Sequence, residues 1–220
     1  MQLSRDGAQL IPAALTRSDL ERLEQALVGT AANRPGTRLT GITAISELLS
    51  PEATIGRHAA DRLGPAARPV RALLFNKTPD QNWSLGWHQD RTIAVTGRAD
   101  LPGFSNWTVK SGIQHVEPPF QLLEQMLTLR VHLDPVGADN APLLVAPGSH
   151  RLGRLMEAEL LPAVAHLGSR ACLAQRGDIW IYATPIVHAS GASARPEARR
   201  VLQVDYCAAD LPAGLAWLGV

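Results

Sequence analysis

The chain has 220 residues, a formal net charge of +1 and 45% hydrophobic residues. We expect one domain, residues 1–220, large enough to fold without a disulfide or a structural metal. The charge argues against nucleic acid or an acidic membrane surface as a partner. No apolar run approaches the roughly 20 residues of a transmembrane helix, and the start of the chain lacks the pattern of a signal peptide. With 2 cysteines and no Cys-x-x-Cys pair, we expect a reducing, cytoplasmic location.

The first 66 residues predict a helical flank. A short edge strand is predicted over residues 8–12, and Ser18 with Glu21, three positions apart, predicts a capping box at the start of a helix. The remaining predicted segments are a loop at 31–41 and helices at about 42–49 and 52–63.

From residue 67 the alternation of apolar and polar residues predicts a β core. Strands are predicted over residues 70–75, 83–95, 126–134, 142–146, 171–174, 178–182, 186–190 and 199–206, with a helix at 154–166. The first two strands, joined by a turn at 78–82, predict a hairpin. Short strands without intervening helices predict a mainly β chain with flanking N-terminal helices, an antiparallel barrel or double-sheet jelly roll.

Residues 97–121 are rich in Gly and Pro and have no clear period, which predicts a lid-like segment over the jelly-roll core. This segment carries Trp107, Lys110 and His115, which together with Arg130 are our candidate substrate contacts. For Lys110 and Arg130, a solvated or salt-bridged side chain is the competing interpretation. If the charged residues line the pocket, they favour a polar or anionic substrate.

A candidate metal site comprises His88, Asp90 and His188. On a strand, His88 and Asp90 point to the same face because side chains alternate. A second imidazole, His188, would complete the two-histidine, one-carboxylate set that holds non-haem Fe(II) and leaves positions open. A lone histidine is more often a core or surface residue, so the assignment depends on context.

Arg199, eleven residues after His188, supplies that context. A guanidinium at the start of an inward-facing strand pairs well with a carboxylate, and Ser190 would face the same side. Thr128 is a further candidate donor to a co-substrate, although an ordinary strand threonine is the alternative. A solvated basic turn is the competing interpretation for Arg199.

These motifs together resemble the phytanoyl-CoA dioxygenase (PhyH) family of Fe(II)/2-oxoglutarate oxygenases, from about residue 6 to residue 206. The motifs are Trp87-His88-Gln89-Asp90, Leu133-Asp134, Asn140-Ala141-Pro142-Leu143, Pro147-Gly148-Ser149-His150, His188-Ala189-Ser190-Gly191 and Arg199. The resemblance implies a double-stranded β-helix (cupin-like jelly roll). It makes His88, Asp90 and His188 iron ligands and makes Arg199 with Ser190 the 2-oxoglutarate site.

The chemistry implied by the resemblance consumes dioxygen and 2-oxoglutarate, releases succinate and CO2, and oxidises a small molecule. Halogenating relatives lack the carboxylate ligand, so Asp90 favours hydroxylation or a related oxidation. Two features depart from the family pattern: Asn140-Ala141 replaces Asn-Gly, and residues 104–119 match no well-known member, so the substrate stays open.

Two alternatives remain open from the residues alone. One is a jelly-roll hydrolase or isomerase that uses zinc or manganese with a metal-bound water. The other is a metal- or ligand-binding barrel without turnover. Either a monomer or a homodimer fits the composition.

Overall fold

The computed structural model describes residues 1–30, 36–77, 82–193 and 199–220. The strands are β1 (Ala8–Ile11), β2 (Gly36–Leu39), β3 (Arg68–Lys77), β4 (Leu85–His88), β5 (Ile93–Val95), β6 (Ser105–Lys110), β7 (Ile113–Glu117), β8 (Leu127–His132), β9 (Leu143–Val145), β10 (Arg170–Cys172), β11 (Ile179–Ala183), β12 (His188–Ser190) and β13 (Arg199–Cys207). The helices are α1 (Leu3–Asp6), α2 (Arg17–Ala26), α3 (Thr43–Leu48), α4 (Thr54–Leu63), α5 (Phe120–Glu124) and α6 (Glu157–Leu167), with a 3-10 turn at Ser149–Arg151. Within the described ranges, none of these helices has the length and apolar character needed to cross a membrane.

A six-stranded antiparallel sheet in the order β1-β11-β8-β13-β3-β2 forms the larger wall of the fold. Alternation along β8 explains its two faces, because Leu127, Leu129 and Val131 pack on one side and Thr128 and Arg130 point to the other. The apolar face is covered by helices α2 to α4, so burial of one side of the sheet also fixes the N-terminal helices.

A four-stranded sheet in the order β10-β9-β12-β4 faces the inner side of the larger sheet. Leu143 and Val145 of β9 share an apolar cluster with Trp180 and Tyr182 of β11, which joins the two sheets. The predicted jelly roll is confirmed. Its barrel brings β4 and β12 together although about 100 residues separate them in the chain.

The helical flank differs in detail from the prediction. The capping box of α2 uses Thr16 and Asp19, not Ser18 and Glu21, and the helix begins at Arg17. Residues 36–39, predicted as loop, form edge strand β2, because they pair with β3. The predicted loop residues 31–35 lie outside the described part of the chain.

The hairpin predicted between the first two core strands was wrong. β3 pairs with β2 and β13 in the large sheet, whereas β4 pairs with β12 in the small sheet. The local sequence predicted both strands but not their partners, which are set by burial in the barrel. Most of the turn predicted between them, residues 78–81, lies outside the described residues.

Residues 97–121 contain more regular structure than their composition predicted. They supply β6 and β7, which form a three-stranded sheet with β5. Ser111 and Gly112, with φ of 52° and 78°, make the tight turn of the β6–β7 hairpin. Val116 and Ile93 pack with Val70 of β3, so this small sheet rests against the large one.

Candidate active site

His88 and His188 lie directly opposite each other on the paired strands β4 and β12. Their ring centroids are 4.2 Å apart. The Nδ1 atom of His88 is 2.8 Å from the carbonyl oxygen of Gly86, and that of His188 is 2.8 Å from the carbonyl oxygen of Ile186. With Nδ1–H donating to a backbone carbonyl, each ring presents Nε2 as its lone-pair donor.

Asp90 follows two residues after His88, just beyond the end of β4. Ligand atoms of His88, Asp90 and His188 all lie within 4.8 Å of one another. Two imidazoles and one carboxylate on one side of a metal are the donor set of non-haem Fe(II) enzymes, and the set leaves coordination positions open. The residues therefore fit a ferrous ion.

Gln89, between two of these residues, faces the other way and is buried. Its amide nitrogen donates to the carbonyls of Gly153 and Pro185, and its carbonyl oxygen accepts from the backbone N–H of Leu155. This side chain uses both ends of its amide, so it fixes the segment that carries His88 and Asp90.

The Pro-Gly-Ser-His stretch supports the strand that carries His188. The Ser149 hydroxyl donates to the carbonyl of Ala146 at 2.7 Å and accepts from the backbone N–H of Val187 at 2.9 Å. The His150 ring packs instead against Gly7, so closely that a Cβ atom on Gly7 would collide with it. The role of His150 is therefore in packing.

A buried row of charges lies beneath Asp90. Arg71 reaches Asp90 at 3.7 Å and Asp205 at 2.5 Å, and the Thr128 hydroxyl donates to Asp205 at 2.9 Å. Burial alone would raise the pKa of Asp90, but the charges around it, that of Arg71 foremost, outweigh this effect and the pKa is lowered. The carboxylate is thus ionised and available to a cation.

Burial lowers the pKa of His188 to about 4, against the opposing effect of Asp90. At neutral pH the ring is therefore uncharged, which is the form that binds a metal.

A pocket of about 510 Å³, part of which is open solvent, lies at these side chains. Its lining residues are Phe75, Trp83, Leu85, His88, Asp90, Arg130, Leu143, His188, Ala189, Ser190, Arg199 and Gln203.

Arg199 and Ser190, the residues that the sequence suggested for a carboxylate site, both line this pocket. Arg199 is 3% exposed, and its Nη1 donates to the carbonyls of Asn140 and Ala141. Its Nε has no hydrogen-bond partner among the described residues. Burial, with a smaller effect of Arg130, lowers the pKa of Arg199 to about 10, which still leaves it charged at neutral pH.

Of the other residues predicted to contact substrate or co-substrate, only some line the pocket. Arg130 lines the pocket, whereas Trp107, Lys110 and His115 lie on β6 and β7 and are absent from its described lining. Thr128 also lies outside that lining, because its hydroxyl is used by Asp205 and Thr184.

Sequence reasoning missed Arg71, Asp205 and Gln203, which surround the site from the large sheet. Arg71 pairs with Asp205 across β3 and β13, and Gln203 and Asp205 stand at the alternate positions of β13 that also carry Arg199. A polar residue at such a position was the available signal.

Comparison with known proteins agrees with this geometry. The family model of phytanoyl-CoA dioxygenase (PhyH) matches residues 3–201. No curated protein matches the chain.

Solved structures share the fold at low sequence identity. EctD from S. alaskensis superposes with a TM-score of 0.69 at 17% identity, covering 99% of this chain and 78% of EctD. AviO1 from Streptomyces viridochromogenes Tue57 gives 0.65 at 19% identity, with coverage of 96% and 92%. HygX from Streptomyces hygroscopicus, solved with nickel and 2-oxoglutarate bound, gives 0.63 at 12% identity, with coverage of 93% and 84%.

The family match spans most of the chain, and the fold and donor set agree with it. The chain belongs to the phytanoyl-CoA dioxygenase family and is a 2-oxoglutarate-dependent non-haem iron enzyme.

Proposed function

We propose that His88, Asp90 and His188 hold Fe(II), that Arg199 and Ser190 bind 2-oxoglutarate, and that the enzyme hydroxylates or otherwise oxidises a small molecule. The observation that carries this proposal is the convergence of the three ligand atoms and Arg199 on one pocket. When bound, Fe(II) with 2-oxoglutarate and dioxygen supplies the oxidising power, with release of succinate and CO2.

The protein's own groups prepare that chemistry. The two Nδ1–H groups donate to backbone carbonyls and so orient the ligand nitrogens. Arg71 neutralises part of the charge on Asp90 while the second carboxylate, Asp205, holds Arg71 in place. Arg199, buried and fixed by two backbone carbonyls, is pre-organised to receive the distal carboxylate of 2-oxoglutarate.

The substrate is a small molecule, and we expect it to be polar or anionic. HygX, of the same fold, has been solved with hygromycin B bound, at 13% identity to this chain. Trp107, Lys110 and His115 stand on the β6–β7 hairpin and remain candidates only if that hairpin approaches a bound substrate. Cys172 and Cys207 are free and buried, which suits a reducing cytoplasm. We propose a monomer or homodimer that does not bind nucleic acid.

The direct test measures succinate formed from 2-oxoglutarate by the Fe(II)-loaded protein with ascorbate, with and without a library of candidate substrates. We expect slow succinate release without substrate and faster release with the correct one. His188→Ala should lose iron binding and turnover while keeping its circular dichroism spectrum. His166→Ala, an exposed position on α6, is the matched control and should retain both.

Two results would contradict the proposal. Iron-loaded protein that never consumes 2-oxoglutarate, even when it binds it, would favour a binding barrel without turnover. A fully active His188→Ala protein would remove His188 from the metal site.

A further inference from the structure

Arg130 is a second guanidinium inside the pocket that holds Arg199. It is 8% exposed, and its Nη1 donates to the side-chain oxygen of Gln203 at 3.0 Å. Its Cζ atom lies 5.3 Å from the ring centroid of Phe75. These contacts fix the plane of the guanidinium, and its Nε has no hydrogen-bond partner among the described residues.

The strand register places Arg130 between the metal ligands and Arg199. On β13, Gln203 pairs with Arg130, and Asp205, one inward position further, pairs with Thr128 of the same neighbouring strand β8. Asp205 is linked through Arg71 to Asp90, so that end of β13 is the metal end. Arg199 begins the same strand at the opposite end.

A co-substrate that extends from the metal to Arg199 must therefore pass Arg130. Two buried cations in one pocket repel each other and are costly unless an anion joins them. One carboxylate at Arg199 would leave Arg130 without a carboxylate within salt-bridge distance in the described part of the chain, because Asp90 acts on it only through its charge. The second carboxylate of a 2-oxo diacid is the group that lies nearer the metal.

We infer that Arg130 donates a charge-assisted hydrogen bond to the metal-proximal carboxylate of 2-oxoglutarate, while Arg199 holds the distal carboxylate. This inference rests on the proposed function. It makes Arg130 a co-substrate residue that orients the 2-oxo acid, rather than a contact of the substrate that is oxidised.

The test uses nickel-loaded protein, which permits binding to be measured without turnover. Calorimetry gives Kd for 2-oxoglutarate and for 2-oxovalerate, which has a methyl group in place of the distal carboxylate. Arg130→Met should weaken both ligands by a similar factor, roughly 10- to 100-fold. Arg199→Met should weaken 2-oxoglutarate but change 2-oxovalerate little. Arg170→Met, an exposed arginine on β10, is the matched control.

If Arg130→Met weakened 2-oxoglutarate but not 2-oxovalerate, Arg130 would lie at the distal carboxylate and the inference would be wrong. Unchanged affinity for both ligands would also overturn it. Arg130→Lys, which keeps the charge but loses the planar fork, repeats the comparison if the methionine variant unfolds. Wild-type protein that neither binds nor consumes 2-oxoglutarate would instead refute the proposed function.

Discussion

Arg71 and Asp205 face each other across β3 and β13 and form a buried salt bridge of 2.5 Å. The same guanidinium lies 3.7 Å from Asp90. Arg71 is therefore shared between a proposed metal ligand and a carboxylate that belongs to the barrel wall. The site and the core of the fold depend on one side chain.

Replacement of Arg71 by Met should destabilise the protein by about 3 kcal/mol, because it leaves Asp205 buried without its cation. Urea unfolding of the metal-free protein measures this loss. The Arg71→Met/Asp205→Asn double variant should recover part of this stability, since position 205 then carries no unpaired buried charge. A double variant no more stable than Arg71→Met would contradict the pairing argument.

Replacement of Arg199 by Ala should weaken 2-oxoglutarate binding by roughly 10- to 100-fold, the loss expected for charge-assisted hydrogen bonds. Iron affinity should change little, because Arg199 makes its protein contacts with Asn140 and Ala141 and not with the metal ligands. Titrations of the wild-type and Arg199→Ala proteins with Fe(II) and with 2-oxoglutarate measure both affinities. Unchanged 2-oxoglutarate affinity would move the distal carboxylate site elsewhere.

Replacement of Gly7 by Ala should be more destabilising than replacement of Gly41 by Ala. Both glycines have positive φ, 76° and 69°, so both variants carry the strain of the left-handed conformation, about 1 kcal/mol. Only at Gly7 does the new Cβ meet a neighbour, His150, while at Gly41 nothing lies within 4 Å. Thermal unfolding measures the difference in stability between the two variants. Adding His150→Ala to Gly7→Ala should reduce this difference, because it removes the ring that the new Cβ would meet.

The stability of the metal-free protein should fall as pH falls below neutrality, partly because of His132. Burial and the nearby charges of Arg130 and Arg199 lower the pKa of His132 to about 3 in the folded protein. In the unfolded chain the ring protonates near pH 6.5, at about its ordinary pKa. Between these values only the unfolded state gains the proton, so the free energy of unfolding falls by about 1.4 kcal/mol per pH unit.

The His132→Gln variant should therefore show a shallower decline of stability between about pH 6.5 and pH 3. The pH dependence of stability that remains in this variant comes from other groups, including His188. Urea unfolding at a series of pH values measures both slopes. Equal slopes in the two proteins would mean that His132 takes up its proton in the folded state as well.

The alternating core strands, the helical flank and the candidates for metal and co-substrate binding could be predicted from the amino-acid order alone. His88 and Asp90 are local in the chain, and the alternation of β8 separates its two faces without knowledge of any partner. Ser190 and Arg199 lie 2 and 11 positions after His188, so a single sequence motif identifies all three residues. Patterns of this kind depend on short-range geometry, which sequence records directly.

Which strands pair and which buried polar groups meet could be seen only in the folded chain. Arg71 and Asp205 are 134 positions apart, and no local pattern relates them. The pairing of β4 with β12, the sheet formed by residues 97–121 and the place of Arg130 between Arg199 and the metal end depend in the same way on strand register. Register is chosen by which faces the whole barrel can bury, so it becomes defined only when distant segments pack together.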